Sequence, residues 1–152
     1  MQKITPFLWF DGKAEEAMNY YVSLFDDGKV LHVTRQGEGG PVSWVNFELA
    51  GQEFMGLNGG PNYRFTEATS FFVNCESQEE VDRLWASLTS EGGEPTQCGW
   101  LKDRYGLSWQ IIPNRLGELL SDPDPERSGR VMQAMLGMTK IDIAGLEAAH
   151  AG

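Results

Sequence analysis

Residues 15–24 read EEAMNYYVSL, and residues 79–88 read EEVDRLWASL. The two segments lie 64 positions apart. Glu15 and Glu16 fall on Glu79 and Glu80, Tyr20 and Tyr21 on Leu84 and Trp85, and Ser23 and Leu24 on Ser87 and Leu88. Each follows an apolar run, ITPFLWF (4–10) before the first and TSFFVNC (69–75) before the second. An acidic first turn suits the positive end of a helix dipole, and apolar residues at helical spacing make a buried stripe. Each copy therefore begins with a strand followed by an amphipathic helix. A fixed internal period of this kind is the first feature to settle in any fold assignment.

Working outward, the first copy has a strand at 3–10, a turn at Asp11-Gly12 and a helix at 13–25, with Ala17, Tyr20, Tyr21 and Leu24 as its stripe. Three strands follow: KVLHVTRQG (29–37), PVSWVNFELA (41–50) and QEFMGLN (52–58). In the second of these, Val42, Trp44 and Phe47 read as the apolar set between polar Ser43, Asn46 and Glu48. The second copy has a strand at 68–75. Ser77 reads as an N-cap, with Glu80 completing a capping-box pattern. Its helix runs to about Ser90, a strand follows near 95–101, and a turn at KDRYG (102–106) leads into YGLSWQIIP (105–113). Asp103, between Lys102 and Arg104, reads as part of a solvated turn.

The reading is an α+β fold of two β-α-β-β-β units, at about 1–60 and 67–113, forming a curved, cavity-enclosing sheet over 1–113. A helical C-terminal extension of the same domain occupies 114–152. In that extension NRLGELLS (114–121) is a short helix. Pro125 behind Asp124 starts a second, and Asp142 caps a third. Val131, Met132, Met135, Leu136 and Met138 form an apolar stripe on the middle helix that needs a surface to cover it. A homodimer is the expected cover.

The composition narrows the function. The 152 residues carry 12 basic and 22 acidic side chains, a net charge of −10. Polyanion binding rests on clusters of Lys and Arg that this chain lacks, so nucleic acid and anionic membrane are not expected partners. No apolar run approaches the roughly 20 residues that span a bilayer. The N-terminus lacks the pattern of a signal peptide, which points to a cytoplasmic protein. Two cysteines, Cys75 and Cys98, make neither a disulfide framework nor a CxxC pair.

The segments LWFDGKAEEAMNYYVSLF (8–25), FMGLNGGP (54–61), FFVNCESQEEVDRLW (71–85), QCGWLKDRYGLSWQIIP (97–113) and MQAMLGMTKIDIAGLEAA (132–149) carry a resemblance. The chain resembles the vicinal oxygen chelate superfamily, the glyoxalase and bleomycin-resistance fold. Within it the chain is similar to the PhnB-like branch, often labelled demethylubiquinone methyltransferase. That label conflicts with the residues. A methyl-donor cradle of the usual kind needs a glycine-rich turn from strand to helix, whereas GEGGP (37–41) and NGGPN (58–62) lie between strands or before one.

The resemblance implies four places for metal ligands, on the first and last strand of each unit. They fall at Thr5 or Pro6, at Thr69 or Ser70, at Met55, Gly56 or Asn58, and at Gln110. None is His, Cys, Asp or Glu, the side chains that hold a catalytic divalent ion. His32 and His150 lie elsewhere in the chain, and Glu48 and Glu53 lack a suitably spaced acidic partner. No metal and no cofactor are expected.

Gln110 is then the residue to explain, an amide in the centre of an apolar strand. Strand parity sets Ser108, Gln110 and Ile112 on one face, and Ser70, Phe72 and Asn74 together. The expected ligand-binding set is Gln110, Asn58, Ser70, Phe72, Ser108 and Trp100, an apolar pocket with a few placed polar groups. The expected function is metal-independent binding of a small apolar or aromatic molecule. The alternative is an enzyme of lyase, isomerase or dioxygenase type with an unrecognised metal or cofactor site.

Overall fold

The computed structural model describes residues 2–152. It divides into two compact units, the first ending at Phe65 and the second running Thr66–Gly152. The helical extension therefore groups with the second repeat.

In the first unit the elements are β1 (Phe7–Phe10), α1 (Ala14–Leu24), β2 (Lys29–Arg35), β3 (Val42–Leu49) and β4 (Gln52–Asn58). The sheet order is β1-β4-β3-β2, with β1 parallel to β4 and the other pairs antiparallel. Alternate residues of a strand face opposite sides, and here Leu8, Phe10, Val45, Phe47 and Leu49 are buried. Helix α1 lies against β3 and β4. Its buried stripe is Ala14, Ala17, Met18, Tyr21 and Leu24.

Two sequence expectations change here. Met18 takes the buried position expected of Tyr20, which is only half-buried. In β3 the apolar set splits by parity: Phe47 goes inward with Val45 and Leu49, while Trp44 lies on the opposite face, 39% exposed. Residues 42, 44 and 47 cannot share one face of a strand of period two. The first strand also begins at Phe7, not at residue 3.

The second unit repeats the order with β5 (Ser70–Cys75), α2 (Gln78–Thr89), β6 (Glu94–Pro95), β7 (Trp100–Lys102) and β8 (Ser108–Pro113). Its sheet is β5-β8-β7-β6, with β5 parallel to β8. Position for position this is the topology of the first sheet. The expected cap of α2 is present, since Ser77 Oγ accepts from the Glu80 N–H at 3.1 Å. The Glu80 carboxylate reaches one residue further back than a capping box requires and accepts from the Glu76 N–H at 2.8 Å.

The turn between β7 and β8 differs from expectation. Asp103 is buried, not solvated. Its Oδ1 accepts from the N–H groups of Tyr105 (2.8 Å) and Leu107 (3.1 Å), and its Oδ2 accepts from Trp109 Nε1 at 2.9 Å. One carboxylate thus organises the hairpin and satisfies the indole that β8 buries. Buried charge persists when hydrogen bonds of this kind surround it.

The extension forms α3 (Asn114–Leu120), α4 (Pro125–Leu136) and α5 (Ile143–Ala151). Leu116, Leu119, Val131, Ile141 and Leu146 make a cluster with Ile112 of β8, and Met135 and Met138 pack against it. The stripe on α4 is therefore partly covered within its own chain; Met132 and Leu136 remain exposed. This removes the premise that the whole stripe awaits a partner.

Candidate functional site

Helix α2 lies against β7 and β8, where Trp109 and Ile111 are buried. The alternate residues of β8 belong to the other face. There the register runs Phe72–Gln110–Trp100 across β5, β8 and β7, with Ser70–Ser108–Lys102 in the row beside it. The extension covers this face only around Ile112. Between that cover and the aromatic row a half-open groove of about 670 Å³ remains. Phe72, Asn74, Cys98, Trp100 and Gln110 line it from the sheet side, and Leu116, Leu120 and Met135 line it from α3 and α4.

Gln110 Nε2 donates to Ser70 Oγ at 3.0 Å. That bond ties the amide to β5 and leaves Oε1 and one Nε2 hydrogen without a partner among the described residues, on a side chain that lines the groove. Phe72, at 53% exposed, is a large aromatic left uncovered beside it.

The wall next to Trp100 is built by an unusual backbone. Cys98 and Gly99 both adopt positive φ, 56° and 85°. A Cβ on Gly99 would come within 2.6 Å of Ile112 Cδ1, so only glycine fits between the loop and the strand. The N–H groups of Cys98 and Gly99 donate to the carbonyls of Met138 and Thr139, each at 2.8 Å. The same turn thus shapes the groove and fastens the extension to the sheet.

The six expected site residues separate. Gln110, Phe72 and Trp100 line the groove, and Ser70 supports Gln110 from beside it. Ser108 is buried and its Oγ has no hydrogen-bond partner among the described residues; it does not line the groove. Asn58 lies in the first unit with its amide engaged there. Its Oδ1 accepts from the Ala14 N–H at 2.8 Å, capping α1, and its Nδ2 donates to the Val42 carbonyl at 3.1 Å.

Sequence reasoning missed Leu116, Leu120 and Met135, because nothing local to α3 or α4 says which sheet face they meet. Cys75 lies outside the groove, and burial pushes its thiol up to about 12, with the Glu80 carboxylate adding to the effect. It is held as the neutral thiol. Among the described residues no three His, Cys, Asp or Glu side chains gather as a metal-ligating group. No helix there is long and apolar enough to cross a membrane.

Two β-α-β-β-β units with the same strand order define a glyoxalase-like fold. The sequence model of the 3-demethylubiquinone-9 3-methyltransferase family matches residues 2–112. The PhnB protein from Bacillus cereus is 42% identical over 74% of this chain and 99% of its own, with a TM-score of 0.68. A Pseudomonas aeruginosa protein is 20% identical over 74% of this chain and 98% of its own, with a TM-score of 0.62. A glyoxalase/bleomycin resistance protein from Albidiferax ferrireducens is 12% identical over 69% and 92%, with a TM-score of 0.48. No curated protein matches the chain. The chain belongs to the 3-demethylubiquinone-9 3-methyltransferase family and is PhnB-like. The family match ends at residue 112, so the segment 132–149 quoted for the resemblance lies beyond it.

Proposed function

We propose that this protein binds a small apolar or aromatic molecule in the groove around Gln110, without a metal, and that it works as a homodimer. The observation that carries the binding reading is the Phe72–Gln110–Trp100 row, an oriented amide between two aromatic side chains in a concave, mostly apolar site. That is the usual make-up of a small-molecule pocket. The four ligand places implied by the superfamily hold Thr or Pro, Thr or Ser, a neutral residue of β4, and Gln110, a donor set poorly suited to a catalytic divalent ion. The methyl transfer in the family's name is not adopted. The glycines of 37–41 join β2 to β3, and Gly59 and Gly60 follow β4, so neither cluster opens a helix.

Mass spectrometry of small molecules carried through native purification tests the reading, together with Gln110→Leu. The variant is expected to fold, because the bond it loses goes to a half-buried serine at the groove's edge. Losing one polar partner typically costs about 1–3 kcal/mol, or about ten- to a hundred-fold in affinity. Unchanged binding with a lowered melting temperature would reduce Gln110 to a structural amide.

A further inference from the structure

We propose that the groove selects a planar aromatic ligand without negative charge, and that α3 sets how far it enters. This rests on the groove being a binding site and assigns the chemistry of its occupant. Adjacent strands lie about 4.8 Å apart, so Phe72 and Trp100 stand about 10 Å apart at the backbone with the amide midway. One fused ring system suits that width. Gln110 Nε2 gives one N–H to Ser70 and keeps a second, so the amide offers a ligand both an acceptor, Oε1, and one remaining donor.

The charges around the groove point the same way. No Lys, Arg or His lines it, and its one carboxylate is Glu118. Glu118 pairs with Arg115, but that guanidinium is shared with Glu147, at 3.1 and 3.0 Å. Two carboxylates against one cation leave this rim negative, and the two acidic partners together hold the Arg115 pKa above its usual value. The nearest cation on the sheet, Lys102 in the adjoining row, is already paired with Glu67. An anion entering the groove would lose water and gain no counter-charge, which is costly. A cation would keep the negative rim and gain the faces of Trp100 and Phe72.

Gly117 gives access to this site without touching the core. It lines the groove, is exposed, and a Cβ there would meet nothing within 4 Å. Being helical, it also gains helix propensity on substitution.

The experiment compares two probes of the same three-ring footprint by fluorescence titration of the full chain. These are 9-aminoacridine, cationic with N–H donors, and anthracene-9-carboxylate. The expected result is saturable binding of one 9-aminoacridine per chain, at least ten-fold tighter than the carboxylate. Gly117→Phe is expected to weaken it at least ten-fold with the melting temperature kept or raised, and Gly117→Ala to leave it within about two-fold. Equal affinity for the carboxylate would overturn the charge assignment; if Gly117→Phe still blocked both rings, the groove would stand as a site for another class of ligand. Binding indifferent to Gly117→Phe would remove α3 from the site, and Gln110→Leu would then report whether the sheet side binds on its own. Failure of both probes to saturate would overturn the assigned ligand class, leaving the co-purified small molecule to decide the binding reading itself.

Discussion

At the scale of single residues, Asp103 and Gln110 show opposite relations between sequence and environment. Gln110 was legible. A strand of period two fixes which neighbours share its face, and Phe72 and Trp100 fall beside it in the observed register. Asp103 was not legible, because flanking Lys102 and Arg104 give it the look of a solvated charge. Its burial is decided by the indole six residues on, which needs an acceptor once Trp109 turns inward. Asp103→Ala would strand two backbone N–H groups and that indole N–H together. Each unsatisfied buried donor costs about 1–3 kcal/mol, and two of the three bonds are buried, so a loss of at least about 2 kcal/mol is expected in urea unfolding. A loss below about 1 kcal/mol would show that water replaces the carboxylate and that the hairpin does not depend on it.

At the scale of elements, helix starts were legible wherever the signal is local. Ser77 caps α2, and Asp124 caps α4 ahead of Pro125, its Oδ1 accepting from the Glu126 N–H at 3.0 Å. The start of α5 also falls where expected, behind Asp142, but Asp142 makes no side-chain capping bond. Gln78, at the head of α2, takes that role from 65 residues away. Its Oε1 accepts from the Ile143 N–H at 2.8 Å and its Nε2 donates to the Ile141 carbonyl at 3.0 Å. Beside it, Asp82 binds Lys140 at 2.7 Å, and Asp122 binds His150 at 2.7 Å further along α5. The Lys140 ammonium and then the Gln78 amide hold the Asp82 carboxyl below its ordinary 3.8. The Asp124 N–H and then His150 do the same for Asp122. A carboxyl with a lowered folded-state pKa favours the folded form above its ordinary value, and that contribution fades as the pH falls through the folded value. Asp82 is exposed, so its effect is small; Asp122 is half-buried beside His150. The expected outcome is graded: below about pH 3.8 the amides of α5 lose hydrogen-exchange protection before those of β8 do. Simultaneous loss would show that the helix is held by the Ile112 cluster alone.

At the level of the whole molecule, two exposed apolar surfaces offer themselves for self-association, one on α4 and an aromatic one on the first sheet. On α4, Val131 is buried in the cluster around Ile112 and Met135 packs against it, while Met132 at 40% and Leu136 at 53% stay exposed. In the first unit Phe7 at 53% and Trp44 at 39% are exposed to a similar degree, on the sheet face turned away from buried Leu8 and Val45. Registers tie the two together: Phe7 pairs with Met55 and Trp44 with Leu57, neighbouring rows of one face. Sequence periodicity grouped Trp44 with Phe47 in one apolar set, yet a one-residue offset puts the two on opposite faces of β3. A monomer that leaves such a contiguous aromatic face in water would be unusual, and a two-fold pairing covers the same patch on both copies at once. The expected outcome in light scattering is twice the 16.9 kDa chain mass at micromolar concentration. Phe7→Asp with Trp44→Asp is expected to give a folded monomer, since neither side chain belongs to the buried core. Met132→Asp with Leu136→Asp on α4 is expected to leave the dimer intact. The reverse pattern would return the interface to the helical extension, and a wild-type chain monodisperse at 16.9 kDa would overturn self-association altogether.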